Sequence, residues 1–332
     1  MHKARRRAEI LRLLFMSWWS NLRYGREVLS AYRSPLTAVA CSPAPELGAR
    51  VERWTMVDER GDTFTGLWRT ADRRAMDPRA ESEATDQPWT VVLLGGFFAG
   101  ERAALLLPER LHAHVLAVDW PWKGPRKLSA IQFVNSLPAI RRTALRSPAA
   151  LAIGVDAVSR QPEVDTRRIA LVGASLGVPS TVAALELTYA PAACALLYGG
   201  ADIETWMSHA LTRYGSPDLL APVIAKYAVA FVRPLEPALH RTEAKLRILI
   251  VNARCDQFVP LGVAQALHRA FPQATVRWKE GQHLDGRPGP IIDDLAAEVE
   301  AWLEGSPRGG SAELPLGPQT CVTPVSLGAA PG

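Results

Sequence analysis

Gly173-Ala174-Ser175-Leu176-Gly177 follows directly on the apolar run Ile169-Ala170-Leu171-Val172 and precedes a segment of helical character. A serine placed so, at a sharp turn between a buried strand and a helix, presents its hydroxyl for attack on a carbonyl. The pentapeptide alone arises by chance in a chain with 24 glycines, so its weight comes from the strand before it and the helix after it. A side chain at either flanking position would collide with the neighbouring strand or helix, which explains both glycines. The helix that follows directs its first N–H groups and positive dipole end toward the serine oxygen. Pro179 fits its first turn, where that N–H has no intrahelical partner.

A serine hydroxyl is a weak nucleophile at neutral pH and needs a base, itself held by a third group. Residues 249–252 form a strand, and just past its end stands Asp256, ahead of Val259-Pro260 and the next helix. Catalytic groups gather at that end of parallel strands, so Asp256 is the candidate acid, with Asp202 after the preceding strand as runner-up. Of the seven histidines only His283 lies beyond the last strand candidate, in Glu280-Gly281-Gln282-His283-Leu284-Asp285, and it is the candidate base. Two backbone donors must face the developing oxyanion. One is Leu176 N–H; the other comes from Gly95-Gly96-Phe97-Phe98-Ala99-Gly100, with Phe97 preferred and Gly96 the alternative.

The elements that must position these residues are legible as runs. Residues 52–57 and 63–68 form a hairpin at a sheet edge, joined by Glu59-Arg60-Gly61-Asp62. Strand candidates follow at 91–94, 115–118, 169–172, 194–197, 248–251 and 275–278, with helix candidates at 108–112, 150–159, 181–187, 261–270 and 291–303. Continuous apolar strands separated by helices indicate a mostly parallel sheet covered on both faces. Residues 71–88 are charged and polar and read as an exposed loop, and beyond Gly305 the Gly-, Pro- and Ser-rich sequence reads as a disordered tail, 306–332.

A chain of 332 residues, 48% hydrophobic and 21% charged, can bury one large core, and one catalytic domain, 51–305, is expected. The net charge of +5 is scattered apart from a cluster at the start, so no nucleic-acid-binding stripe is read. Cys41, Cys194, Cys255 and Cys321 lack chelating spacing; free thiols, no metal and no cofactor are expected. No stretch approaches the roughly 18 consecutive apolar residues of a membrane span, and the start lacks a secretory cleavage pattern, so a soluble cytoplasmic protein is expected. Within an N-terminal extension, 1–50, Leu11, Leu14, Phe15, Trp18 and Leu22 fall on one helical face. Such a helix suits either docking on the body or a peripheral membrane contact, with arginines toward anionic lipid.

Strand, Gly-x-Ser-x-Gly, helix, an acid before Val-Pro and a late Gly-x-His resemble the α/β-hydrolase superfamily. The stretch 156–177, with Gln161-Pro162-Glu163-Val164-Asp165 leading to Arg168-Ile169-Ala170-Leu171-Val172-Gly173, is similar to its dienelactone-hydrolase, acetyl-xylan-esterase and dipeptidyl-peptidase-like branch. The resemblance covers 51–303, and Gly95-Gly96 departs from the His-Gly of many members. It implies the α/β-hydrolase fold with about eight strands, a helical cap insertion at 201–245, and a serine esterase, thioesterase or peptidase acting on a small ester-type substrate. Trp206 in the cap, with Gly96, Phe98 and Trp120 on the loops opposite, would then line an apolar acyl or alkyl site. The same residues would serve an acyltransferase, and a non-catalytic hydrolase-fold binding protein is the reading of a different class.

Overall fold

The computed structural model describes residue 15 and residues 25–71, 87–125, 130–188, 191–240, 245–284 and 286–305. In chain order the elements are α1 (Gly25–Ser30), β1 (Leu36–Pro43), β2 (Val51–Asp58), β3 (Thr63–Arg69), β4 (Trp89–Leu94), α2 (Ala103–Leu106) and β5 (Ala113–Val118). There follow α3 (Ala130–Val158), β6 (Ile169–Ala174), α4 (Gly177–Ala184), β7 (Ala193–Leu197), α5 (Ile203–Arg213) and α6 (Ala221–Val232). The last are β8 (Arg247–Ala253), α7 (Leu261–Ala270), β9 (Thr275–Lys279) and α8 (Pro290–Leu303).

The nine strands among the described residues join one sheet in the order β1-β2-β3-β5-β4-β6-β7-β8-β9. Pairing is antiparallel from β1 through β5 and parallel from β5 to β9. The parallel strands are apolar on both faces because helices cover both. On one face Val92, Leu94, Leu116, Leu171, Leu196 and Ile250 pack against α3, α4 and α7. On the other, Val91, Leu93, Val115, Val172 and Leu249 cluster with the one-turn α2, with α8 and with loop residues such as Leu107 and Leu111.

The observed strands contain every strand candidate from the sequence, and β1 is an additional one. It lies within the stretch expected as N-terminal extension and pairs with β2, so the hairpin of β2 and β3 is one strand in from the edge. Its side chains are mostly exposed, which leaves little alternation to read. Residues 108–112 are turn and coil, not the expected helix; the helical turn there is α2, ended where Leu107 becomes extended ahead of Pro108. Conversely, α3 runs for 29 residues through Pro138 and Pro148, where a helix starting only at 150 was expected. Pro148 removes the N–H that would serve the Ala144 carbonyl, and the Ser147 hydroxyl stands 3.1 Å from that oxygen instead.

The expected helix near 11–22, apart from Phe15, the 306–332 tail and most of the 71–88 loop lie outside the described residues. Among the described residues no helix is long and apolar enough to cross a membrane. Cys41 and Cys194 are free, but Cys255 is disulfide-bonded, which corrects the expectation of free thiols. A disulfide needs two α-carbons within about 7 Å with their β-carbons facing, and spacing along the chain does not reveal that.

Candidate active site

Ser175 stands at the carboxyl end of β6 with φ of 54°, a left-handed conformation that a serine adopts only when its surroundings impose it. Those surroundings are visible. A β-carbon at Gly173 would lie 2.6 Å from the Thr181 hydroxyl, and one at Gly177 would lie 2.1 Å from the Leu94 carbonyl oxygen. With no room at either flank, β6 and α4 close on the turn from both sides. The Ser175 N–H donates to the Leu197 carbonyl at 2.8 Å, tying the turn to β7.

Ser175 Oγ lies 2.8 Å from His283 Nε2, and His283 Nδ1 lies 2.6 Å from Asp256 Oδ2. A carboxylate only accepts, so Nδ1 carries the ring proton and Nε2 is left to accept from the serine. The other carboxylate oxygen of Asp256 accepts the N–H groups of Phe258 at 2.8 Å and Val259 at 2.9 Å, which fixes its plane. The loop carrying Asp256 follows β8 and is held by α5: the Trp206 indole donates to the Phe258 carbonyl at 2.8 Å and Arg213 to the Gln257 side chain at 2.8 Å. His283 follows β9 and is packed between Phe258 and Tyr198, with ring centroids 5.2 and 6.0 Å away. Burial, with the nearby Asp256 charge second, pushes the Tyr198 phenol up to about 12.

The runner-up acid, Asp202, has another task. It caps α5, accepting from Thr205 N–H at 3.2 Å and from the Thr205 hydroxyl at 2.6 Å. Among the described residues no group of three or more His, Cys, Asp or Glu side chains is set to hold a metal.

The turn after β4 brings Gly96 beside the serine: a β-carbon there would sit 3.8 Å from Ser175 Cβ. The N–H groups of Phe97, in the turn after β4, and of Leu176, next to Ser175 in its own turn, donate to no backbone carbonyl among the described residues. Two such donors beside a nucleophile can stabilise an oxyanion.

A cavity of about 590 Å³ opens at this point, lined by Ser175, His283, Gly96, Phe97, Phe98 and Trp206 among others. Trp120 is not in that lining. Its indole donates to the Gly95 carbonyl at 3.1 Å and its ring packs edge-on to Phe97, so it braces the β4 turn from behind. Tyr214, one of the aromatic residues of the 201–245 insertion expected to cap the site, and Phe258 also line the cavity. Phe258 is the one that sequence reasoning missed, and it carries a usable signal, two residues past the acid.

No protein-family model and no curated protein matches the sequence. Solved structures do. An acetyl xylan esterase from Paenibacillus sp. R4 aligns with a TM-score of 0.55 at 14% identity, over 85% of this chain and 92% of that one. Acetyl xylan esterase 1 from Thermoanaerobacterium sp. JW/SL YS485 gives 0.52 at 13%, over 86% and 93%. A puromycin-hydrolyzing peptidase from Mycobacterium tuberculosis gives 0.52 at 16%, over 82% of this chain and 47% of that one. The chain has the α/β-hydrolase fold, with nine strands among the described residues.

Proposed function

We propose that the protein is a serine hydrolase that cleaves a carboxylic ester or thioester through an acyl-enzyme intermediate. The observation that carries this reading is the unbroken chain from Ser175 Oγ through His283 to the doubly anchored Asp256, at 2.8 and 2.6 Å, opening on an apolar cavity. The likeness in fold to esterases supports it. Ser175 Oγ attacks the carbonyl carbon as its proton passes to His283 Nε2, and the Phe97 and Leu176 N–H groups receive the oxyanion. Collapse breaks the bond to the alcohol or thiol, which leaves with the proton from His283. Water then attacks the acyl carbon, gives a proton to the same nitrogen, and the acid departs as Ser175 regains its own. Asp256 keeps the imidazole in the reactive tautomer throughout and offsets its transient positive charge.

The test is labelling by a fluorescent fluorophosphonate together with turnover of p-nitrophenyl esters, for the wild type and Ser175→Ala. Labelling of the wild type alone is expected, with kcat lowered by about 10⁴-fold or more in the variant. Folded wild-type protein that neither labels nor turns over any ester would overturn the reading.

A further inference from the structure

The cavity at Ser175 continues well past the residues that do the chemistry. Along β4 its wall is Gly95, Leu93, Val91 and Trp89, alternate residues and therefore one face of the strand. Opposite stand Ile292, Ala296, Val299 and Leu303, one stripe of α8. From Gly95 back to Trp89 the strand advances roughly 20 Å, at about 3.3 Å per residue. The polar side chains of the lining lie at the two ends: Ser175, His283, Trp206 and Tyr214 at one, the Trp89 indole, His112, Glu300 and Glu304 at the other. His112 and Glu304 are exposed, so the far end reaches the surface beside the amino-terminal ends of β4 and β5.

The passage is a real gap in the packing. Trp89, Val91 and Leu93 keep 7, 6 and 5% of their surface accessible, while Val92 and Leu94, on the other face of the same strand, keep none. An elongated apolar corridor with a nucleophile at its mouth suits an unbranched hydrocarbon. A sugar or a peptide would leave its polar groups unpaired between these walls.

Resting on the serine-hydrolase reading, we propose that the corridor between β4 and α8 is the acyl site of a long-chain acyl ester or thioester. With C–C bonds of about 1.5 Å a zigzag chain advances about 1.25 Å per carbon, so the corridor holds roughly twelve to sixteen carbons. The carbonyl lies at Ser175, the methyl end lies toward His112 and Glu304, and the alcohol or thiol leaves on the side of Trp206 and Tyr214.

Two measurements test this. The first is the chain-length profile of p-nitrophenyl esters from two to eighteen carbons for the wild type, Val299→Trp and the milder Ala296→Leu, each checked for folding by circular dichroism. In the wild type kcat/KM rises up to about fourfold per added methylene, the full burial value, to an optimum near twelve to sixteen carbons. Val299 is about 10 Å along α8 from Ile292, so its tryptophan variant moves the optimum to about eight carbons or fewer. The ratio of sixteen-carbon to four-carbon turnover then falls at least tenfold. Ala296→Leu shifts the optimum in the same direction. A wild-type optimum at two to four carbons, or a profile unmoved in both folded variants, overturns the proposal.

The second is binding of a dansyl-labelled undecanoic acid to Ser175→Ala, displaced by palmitate and lost when Val299→Trp is added. Binding without any ester turnover in the wild type would keep the corridor as a fatty-chain site and remove the hydrolase reading. Short-ester turnover with no fatty-acid binding would keep the hydrolase and remove the corridor.

Discussion

Val92 and Leu94 point to one face of the sheet and Trp89, Val91 and Leu93 to the other, and the two sets are packed to different degrees. The first three-helix layer, α3, α4 and α7, leaves Val92, Leu94, Leu116, Leu171 and Ile250 with no accessible surface. Against the second face stand α8 and the single turn α2, and between α2 and β5 the chain crosses as coil. The cause is local: Leu107 turns extended ahead of Pro108, so the helix that could have roofed this part of the sheet stops after four residues. One face therefore spends its side chains on close packing, which stabilises, and the other keeps a space that Ser175 can use. A core packed to ordinary density on both faces would have been more stable and would have had no corridor.

The sharpest way to break this comparison is to delete the same atoms on either side of one strand. Leu94→Ala leaves a cavity in the closed layer and is expected to cost about 3–5 kcal/mol, whereas Leu93→Ala widens a space already present and costs about 2 kcal/mol or less. Urea unfolding of both variants checks it; equal losses would mean that the second face is as tightly packed as the first. Adding atoms should reverse the order of harm. Val92→Phe overpacks the closed layer, at about 1–3 kcal/mol, while Val91→Phe enters the corridor nearly free of strain. The same unfolding experiment decides between them, and comparable destabilisation by the two phenylalanines would count against an open second face.

How much of this could be seen in the sequence depends on the range of the physics involved. The Ser175 turn was legible because its requirements are local: an apolar strand, two positions where any β-carbon meets Thr181 or the Leu94 carbonyl, then a helix. Asp256 and His283 were legible from their places after the strands now seen as β8 and β9, and the structure sets both within reach of the serine. β1 was missed because an edge strand with mostly exposed side chains imposes no alternation. The first half of α3 was missed because Pro138 and Pro148 are stop signals locally, and burial of Leu145, Ala149 and Leu151 outweighs them. Trp120 was expected in the binding site because it is aromatic and near the oxyanion loop; which side of Gly95 its indole takes is a tertiary matter. The corridor has no motif at all. It is the difference between what β4 offers and what α2 and α8 fill, and residues some two hundred positions apart decide it.

The closed layer also carries a titratable group, and this gives the smallest of the expected effects. His268 lies in the last turn of α7, with its ring edge-on to Trp278 at 4.9 Å and Nε2 3.5 Å from the Asn252 amide nitrogen. Burial first, and then the charge of Arg269, lower its pKa from the usual 6.5 to about 4. A base held neutral in the folded state contributes stability above the unfolded pKa and loses it as the pH falls toward the folded one. The window is therefore pH 6.5 down to about 4. By pH 5 the loss is about 1 kcal/mol once the partial exposure of the ring is allowed for, or about 2–4 °C in Tm. His268→Gln, which keeps a polar group facing Asn252 but does not titrate, should lower the Tm at pH 7 slightly. It should also flatten the fall between pH 7 and 5 relative to the wild type. Parallel Tm curves for the two proteins would show that α7 does not enclose this histidine.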